Sequence, residues 1–257
     1  MDILRKELNA IYSSQRLDSE ALDVSILDSF RSKIEAIAPF SSVCYVITDA
    51  SADSCYIYAG SFARLLGISA DVTYAEEYGS SDEDVIYNCI HPEDLVEKRM
   101  LEYDYFRYVD SLSAEDKLHY VACCRLRMRG SDGIYRYIYN TTRILQPSPK
   151  GRIWLIICSY ELSSDQTPSL DITPKIINII TGQIEPIKMV ERRARLLSER
   201  EKQILTLIRE GMSSKQIADL LSISIHTVNR HRQNILEKLS VGNTYEAITA
   251  AMAMRLL

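Results

Sequence analysis

Four polar side chains near the C-terminal end of the chain have types and spacing that suit hydrogen bonding to base edges. His226, Arg230 and Gln233 recur at three- and four-residue intervals, which places them on one face of a helix, and Asn229 flanks that face. In the major groove of duplex DNA, Arg pairs with guanine, and Asn or Gln pairs with adenine. An ordinary solvated helix face would also be polar, so the surrounding elements must decide between the two interpretations.

The helix that carries this face is predicted to begin after Ser224 and to run to about Leu239. Ser is a favoured N-cap because its hydroxyl accepts a hydrogen bond from a free backbone amide. Val228, Ile235 and Leu239 form one apolar stripe on the side opposite the polar face. This stripe predicts which side of the helix is buried.

Two further helices are predicted immediately before it. The pairs Ser198 with Glu201 and Ser213 with Gln216 have the spacing of capping boxes, and Gly211 can adopt the left-handed conformation that ends a helix. A short helix, a turn of three to four residues and a longer helix is the arrangement of a helix-turn-helix.

The charge of the chain is unevenly distributed. Residues 188–257 contain 12 Lys and Arg against 7 Asp and Glu, whereas residues 1–187 contain 18 against 28. The basic C-terminal segment is therefore expected to meet a polyanion, and the acidic remainder to do something else.

Several ordered motifs resemble the LuxR-type helix-turn-helix domain. They are Leu197-Ser198-Glu199-Arg200-Glu201, Ser214-Lys215-Gln216-Ile217-Ala218, Ser224-Ile225-His226-Thr227-Val228-Asn229-Arg230-His231, Asn234-Ile235 and Lys238-Leu239. The resemblance implies an all-α domain of four helices that binds double-stranded DNA as a dimer and regulates transcription, with its third helix in the major groove.

The same resemblance assigns roles to individual residues. Asn229, Arg230 and Gln233 match the positions that read bases, and the helical wheel adds His226. Thr227 resembles the phosphate-contacting threonine of the family. Further contacts with the DNA backbone are expected from Lys215, Ser224, Arg232 and Lys238. His231 lies beside the apolar stripe and is expected to pack within the domain.

A last helix is predicted from about Thr244 to Leu256. Residues along one side of it recur at helical spacing: Ala247, Ile248, Ala251, Met252 and Arg255. The resemblance implies that this helix joins a homodimer, and about half of its apolar surface is expected to close its own domain. Thr244 stands where members of the family usually have Arg, so one backbone contact or cap is expected to be weaker.

Residues 42–162 have a different pattern, dominated by strands. The predicted strands are 43–48, 55–59, 118–129, 134–145 and 152–162, with a short helix at 61–66 and a longer helix from His91-Pro92 to about Leu112. The last three strands are adjacent in sequence and predict a meander.

This order of elements resembles a PAS domain. The resemblance is carried by Phe62, Leu65-Leu66-Gly67, His91-Pro92-Glu93-Asp94-Leu95 and Arg125-Leu126-Arg127 followed by Asp132-Gly133 and Tyr135-Arg136-Tyr137. It implies a domain that senses a signal or dimerises, without naming the signal. Ser61-Phe62-Ala63-Arg64 lacks the reactive cysteine of flavin-linked members, and His91 precedes a proline in a loop instead of lying on a haem-binding helix. No cofactor is therefore expected, and the sensor ligand stays unknown.

The expected fold class is α+β: an N-terminal PAS-like antiparallel sheet with helices, linked to a C-terminal all-α four-helix domain. The predicted segments are two N-terminal helices in 1–40, the PAS-like domain in 41–162, a linker with a small hairpin in 163–190 and the helix-turn-helix domain in 191–257. The N-terminal helices are expected to pack within the chain.

Other functional classes are less well supported. Cys89 with His91, or Cys123 and Cys124 with His119, would be the raw material of a nucleophilic or metal site, but His119 and Cys123 lie about 13 Å apart along a strand. No enzyme activity and no metal site are expected. The six scattered cysteines suit a reduced cytoplasmic protein. No paired acidic residues close a strand, which disfavours a phosphorylated receiver domain.

The sequence also bears on other partners. No apolar run is long enough to span a membrane, so no membrane partner is expected. RNA polymerase is an open candidate for a protein partner. The competing hypothesis is that the helix-turn-helix contacts a protein instead of DNA.

Overall fold

The computed structural model of the chain describes residues 3–67, 75–78, 83–187, 196–239, 241–253 and 256–257. The chain forms two compact units, one made of Leu8–Ile187 and the other of Met1–Glu7 with Lys188–Leu257. None of the described helices is both long and apolar enough to cross a membrane.

The larger unit is a sheet with helices on its faces. Its helices are α1 (Ile3–Ser14, whose first residues belong to the smaller unit), α2 (Val24–Ile37), α3 (Ala63–Leu66), α4 (Asp84–Tyr87) and α5 (Pro92–Asp110). Its strands are β1 (Cys44–Asp49), β2 (Ser54–Tyr58), β3 (Ala75–Tyr78), β4 (Tyr120–Arg129), β5 (Tyr135–Pro147), β6 (Ile153–Leu162), β7 (Lys175–Asn178) and β8 (Ile184–Glu185).

Within the described residues, the eight strands form a single sheet in the order β3-β2-β1-β6-β5-β4-β7-β8, and neighbouring strands are antiparallel. The predicted meander of three long strands is confirmed as β4, β5 and β6. Gly133 forms the turn between β4 and β5 with a φ of 79°, a conformation that glycine adopts without strain. The predicted α+β class, with an antiparallel sheet and a C-terminal helical domain, is confirmed.

The segment predicted as a linker with a small hairpin, 163–190, contacts the sheet along its described part. The hairpin expected within it exists, but it adds β7 and β8 to the edge of the sheet beside β4. Ile172 and Ile176 are buried, and the Ile172 amide donates a hydrogen bond to the Glu97 carboxylate on α5 at 3.1 Å. The sequence indicated the hairpin, but its pairing with β4 depends on tertiary packing that no local pattern encodes.

Helix α2 covers one face of the sheet. Leu27 is buried in a cluster with Ile47 of β1, Tyr58 of β2 and Leu155 of β6, and the partly buried Phe30 packs against this cluster. The expectation that the N-terminal helical region packs within the chain is confirmed for α2.

The interior beside α5 is unusually polar. The Lys98 ammonium is completely buried and forms an ion pair with the Glu102 carboxylate one helical turn further on. It also lies 4.8 Å from the ring centroid of Tyr87 and 5.7 Å from that of Tyr160. The Tyr160 hydroxyl donates to the Glu83 carboxylate at 2.6 Å. We call Glu83, Tyr87, Lys98, Glu102 and Tyr160 the interior polar cluster.

The interior polar cluster holds two carboxyl groups and one ammonium group, and the buried Arg99 guanidinium lies 5.4 Å from the Tyr87 ring centroid. Burial raises the pKa of Glu83, and the opposing effects of Lys98 and of the Tyr160 hydrogen bond do not cancel it. Burial acts to lower the pKa of Lys98, but Glu102 and other acidic neighbours raise it above its usual value. The charged Lys98–Glu102 pair is therefore favoured, and Glu83 holds a proton more readily than an exposed carboxyl group does.

We predict that Glu83→Gln stabilises the protein near neutral pH. Because the folded state raises the pKa of Glu83, the stability that the protonated carboxyl contributes is present at pH values below the unfolded pKa, near 4, and is lost as the pH rises towards the folded pKa. Gln mimics the neutral form at every pH. The free energy of unfolding in urea should rise at pH 7 by more than the change of about 0.5 kcal/mol typical of surface substitutions, and the gain should shrink towards pH 4.

The exposed Glu115→Gln is the matched control and should change stability by less than about 0.5 kcal/mol at either pH. A Glu83→Gln variant that is less stable than the parent at pH 7 would show that the ionised carboxylate is preferred.

Candidate nucleic-acid interface

The C-terminal domain has four helices, α6 (Glu199–Arg209), α7 (Ser214–Leu221), α8 (Ile225–Leu239) and α9 (Thr244–Ala253). Both predicted capping boxes are confirmed. The Ser198 hydroxyl accepts from the Glu201 amide at 3.3 Å, and the Glu201 carboxylate accepts from the Ser198 amide at 2.7 Å. Ser213 and Gln216 form the same pair of bonds at the start of α7.

The turn between α7 and α8 consists of residues 222–224. Ser222 ends α7 in the left-handed conformation with a φ of 53°, which reverses the chain. The Ser224 hydroxyl accepts from the Thr227 amide at 3.0 Å and lies 2.8 Å from the Thr227 hydroxyl. The predicted N-cap of α8 is therefore confirmed, and the helix-turn-helix has the predicted turn length.

The apolar stripe of α8 is confirmed as the buried side of this helix. Val228, Ile235 and Leu239 are each at most 1% exposed. Ile204 of α6 and Ile217 of α7 are also fully buried in the domain. Burying this stripe determines the rotation of α8 about its own axis, so the opposite side must face solvent.

The residues predicted to read bases are all on that solvent-facing side. His226, Asn229, Arg230 and Gln233 are exposed. The Gln233 amide nitrogen donates weakly to the Glu237 carboxylate at 3.3 Å, while the other three form no hydrogen bond or ion pair with the described part of the chain. Their donors and acceptors are available to another molecule.

The residues predicted to contact the DNA backbone fall into two groups. Lys215 and Ser224 are exposed and Thr227 is partly exposed, around the start of α7 and the start of α8. Arg232 and Lys238 are held inside the domain. Arg232 donates to the Ser214 hydroxyl and to the Thr244 hydroxyl, each at 3.0 Å.

Lys238 joins the end of α8 to the capping box of α6. Its ammonium donates to the Glu201 carboxylate at 2.7 Å, and Glu201 is buried. Burial acts to raise the pKa of Glu201, but the bonds from Lys238 and Ser198 lower it. Arg232 and Lys238 both lie nearer the apolar stripe than the polar face on a helical wheel, which is the sequence signal for their internal role.

Thr244 shows how this chain departs from the family pattern. Its hydroxyl lies at the start of α9 and accepts the hydrogen bond from Arg232. His231 is half-buried as expected, and its Nδ1 is buried without a hydrogen-bond partner in the described part of the chain.

Helix α9 buries the small residues that were expected to form a dimer surface. Ala247 and Ala251 are completely buried in their own domain because they lie on the side that closes the core. The exposed side of α9 instead carries Tyr245 and Met252, which are 79% and 54% exposed. Arg255 lies outside the described residues.

One group of potential metal ligands lies in the larger unit. Polar atoms of His91, Glu93 and Asp94 lie within 4.8 Å of one another. The Arg127 guanidinium binds Glu93 at 2.8 Å and Asp94 at 2.6 Å, so a cationic side chain already neutralises both carboxylates. His91 precedes the first residue of α5 and its side chain forms no cap hydrogen bond.

Comparison with known proteins supports the assignment of the C-terminal domain. Residues 195–251 match the family "Bacterial regulatory proteins, luxR family". The transcriptional regulatory protein DesR of Bacillus subtilis is 37% identical over 87 residues, which cover 32% of this chain and 44% of DesR. The response regulatory protein YgeK of Escherichia coli is 45% identical over 58 residues, covering 23% of this chain and 40% of YgeK. The chain thus spans less than half the length of these relatives.

A structure of the Vibrio cholerae VqmA dimer aligns with 86% of this chain and 86% of its own, with 17% identity and a TM-score of 0.32. That score is too low to establish a common arrangement of the whole chain. The family match and the sequence relatives identify the smaller unit. The larger unit is defined by its central strand order, β2-β1-β6-β5-β4, and by the helices α3 to α5. The chain combines a LuxR-type helix-turn-helix domain at its C-terminal end with a PAS-like domain that precedes it.

Proposed function

We propose that this protein is a sequence-specific regulator of transcription that binds double-stranded DNA through α8 and receives its signal, or dimerises, through the PAS-like domain. The observation that carries the proposal is the exposed polar face of α8, whose side chains form almost no bonds within the domain. A helix of this kind fits the major groove, which is wide enough to admit it.

The base contacts in this proposal come from His226, Asn229, Arg230 and Gln233. The Arg230 guanidinium can donate two hydrogen bonds to a guanine, and the amides of Asn229 and Gln233 can each donate to and accept from an adenine. Such groups discriminate bases because a mismatched edge leaves a donor or acceptor unpaired.

The contacts with the DNA backbone come from Lys215, Ser224 and Thr227, which surround the start of α8. Arg232 and Lys238 are proposed to support this surface from inside the domain, through Ser214, Thr244 and Glu201. The net charge of +5 over residues 188–257 adds a sequence-independent attraction that salt weakens.

The proposed active form is a homodimer. Tyr245 and Met252 on the exposed side of α9 are the residues we assign to this contact, and the PAS-like domain can add a second one. A twofold dimer requires a pseudo-palindromic operator with half-sites about 10 bp apart. A cytoplasmic setting and contact with RNA polymerase belong to the same proposal, which includes no catalytic step.

We predict that Arg230→Ala weakens binding to the preferred duplex by about 1–3 kcal/mol and relaxes the preference at one base pair in each half-site. The affinity for DNA should fall because the substitution removes two charge-assisted hydrogen-bond donors. The buried side of α8 is not disturbed. Fluorescence anisotropy with matched and single-mismatch duplexes measures both effects.

Arg209→Ala is the matched control, since Arg209 is an exposed arginine at the end of α6, outside the proposed surface. It should leave the base preference unchanged. Equal losses for Arg230→Ala and Arg209→Ala, or an unchanged preference in both, would support the competing hypothesis that α8 contacts a protein.

We also predict that Met252→Glu disrupts the dimer, because a charge cannot be buried in an apolar contact without a partner. Sedimentation velocity should show a smaller species, and the affinity for a two-half-site duplex should fall towards that for a single half-site. The exposed Gln203→Glu on α6, outside the assigned contact, serves as the control. A dimer that survives Met252→Glu would place the contact elsewhere.

A further inference from the structure

The sheet of the larger unit has an uncovered groove on the face that carries α2. Tyr45 of β1 belongs to the cluster beneath α2 and also forms one wall of the groove, so the groove begins where the cover of α2 ends. Its volume is about 270 Å³, and Ile179, which follows β7, forms the opposite wall. It lies on the face of the sheet opposite the interior polar cluster, because side chains alternate along β6 between Ile157 in the groove and Cys158 in the interior.

The groove combines an apolar surface with one cationic group. Val121, Ile157 and Ile179 provide aliphatic side chains, and the exposed Arg143 provides a guanidinium. Among the residues that the structure describes, Arg143 has no ion-pair partner and no acidic residue lines the groove. The charge therefore favours an anion.

The middle of the groove also offers a free hydroxyl donor. Thr141 and Ser159 are opposite each other on β5 and β6, and their hydroxyl oxygens are 2.6 Å apart. Whichever hydroxyl accepts this bond retains its own hydrogen, which can be donated to another acceptor. Arg143 follows two residues later on the same face of β5, so its guanidinium and the hydroxyl can act on one carboxylate.

We propose that this groove binds a small amphiphilic carboxylate, such as a medium-chain fatty acid, with its carboxylate on Arg143 and the Thr141–Ser159 hydroxyls and its tail on Val121, Ile157 and Ile179. The volume lies just below the usual range for small-molecule sites, so the ligand is smaller than a typical drug. A second copy docked about a twofold axis at the groove would bring two Arg143 guanidinium groups together, which like charges oppose.

The proposal is independent of DNA binding, and its test uses the full chain without DNA. Octanoate is titrated into the ¹⁵N-labelled protein, and amide shifts are followed by NMR. We expect saturable shifts centred on Val121, Thr141 and Ile157, and weaker binding of 1-octanol, which has the same chain length without the charge.

Arg143→Gln should weaken octanoate binding by about tenfold or more, since it removes a charge-assisted hydrogen bond. Arg143→Lys, which retains the charge, should lose less. Arg107→Gln on α5 is the matched control and should bind as the parent does.

Three results would overturn the proposal. They are the absence of saturable shifts at these amides, equal affinity of the parent and Arg143→Gln, and octanol binding as tightly as octanoate. Shifts at the same amides that depend on protein concentration without ligand would assign the groove to a second copy of the chain instead.

Discussion

The C-terminal domain depends on the burial of one apolar stripe along α8. Helical hydrogen bonding alone does not fix the rotation of α8 about its own axis. The complete burial of Val228, Ile235 and Leu239 fixes this rotation. The capping boxes fix where α6 and α7 begin, and the Ser222 turn fixes the direction in which α8 leaves. The exposed face is therefore a consequence of the core, and its polar residues carry few stabilising contacts of their own.

Two charged residues of α8 serve this positioning instead of pointing outward. Lys238 ties the end of the helix to Glu201, and Arg232 ties its middle to Ser214 and Thr244. Thr244 explains how the chain accommodates the loss of the arginine usual at that position, since its short hydroxyl accepts a bond from Arg232. The same two side chains thus connect all four helices of the domain.

The larger unit is organised around α5. Adjacent residues of this helix have different connections: Lys98 enters the interior polar cluster, and Glu97 accepts the amide of Ile172 ahead of β7. The chain segment that enters β7 at the edge of the sheet is therefore bonded to the same helix that contains the buried ion pair. This is a direct physical link between the interior of the PAS-like domain and its last strands.

The features that could be predicted from sequence are those encoded by local pattern. Capping spacing, helical periodicity and strand alternation located α6 to α8, β4 to β6 and the exposed face of α8. Local sequence pattern did not predict the features that depend on tertiary packing. The hairpin of β7 and β8 was expected within a linker, because nothing local shows that it pairs with β4. The alanines of α9 likewise do not reveal which side of the helix they bury. The interior polar cluster was missed because Glu83, Lys98 and Glu102 resemble ordinary surface residues until the fold brings them together.

Selection from a random pool of duplexes, performed with the full chain at several salt concentrations, tests the central claim most directly. The account predicts enrichment of a twofold motif with half-sites about 10 bp apart, and retention that falls steeply as salt rises. A pool that stays without a motif, or retention that ignores both salt and nucleotide order, would contradict the assignment of α8 as a helix that reads DNA.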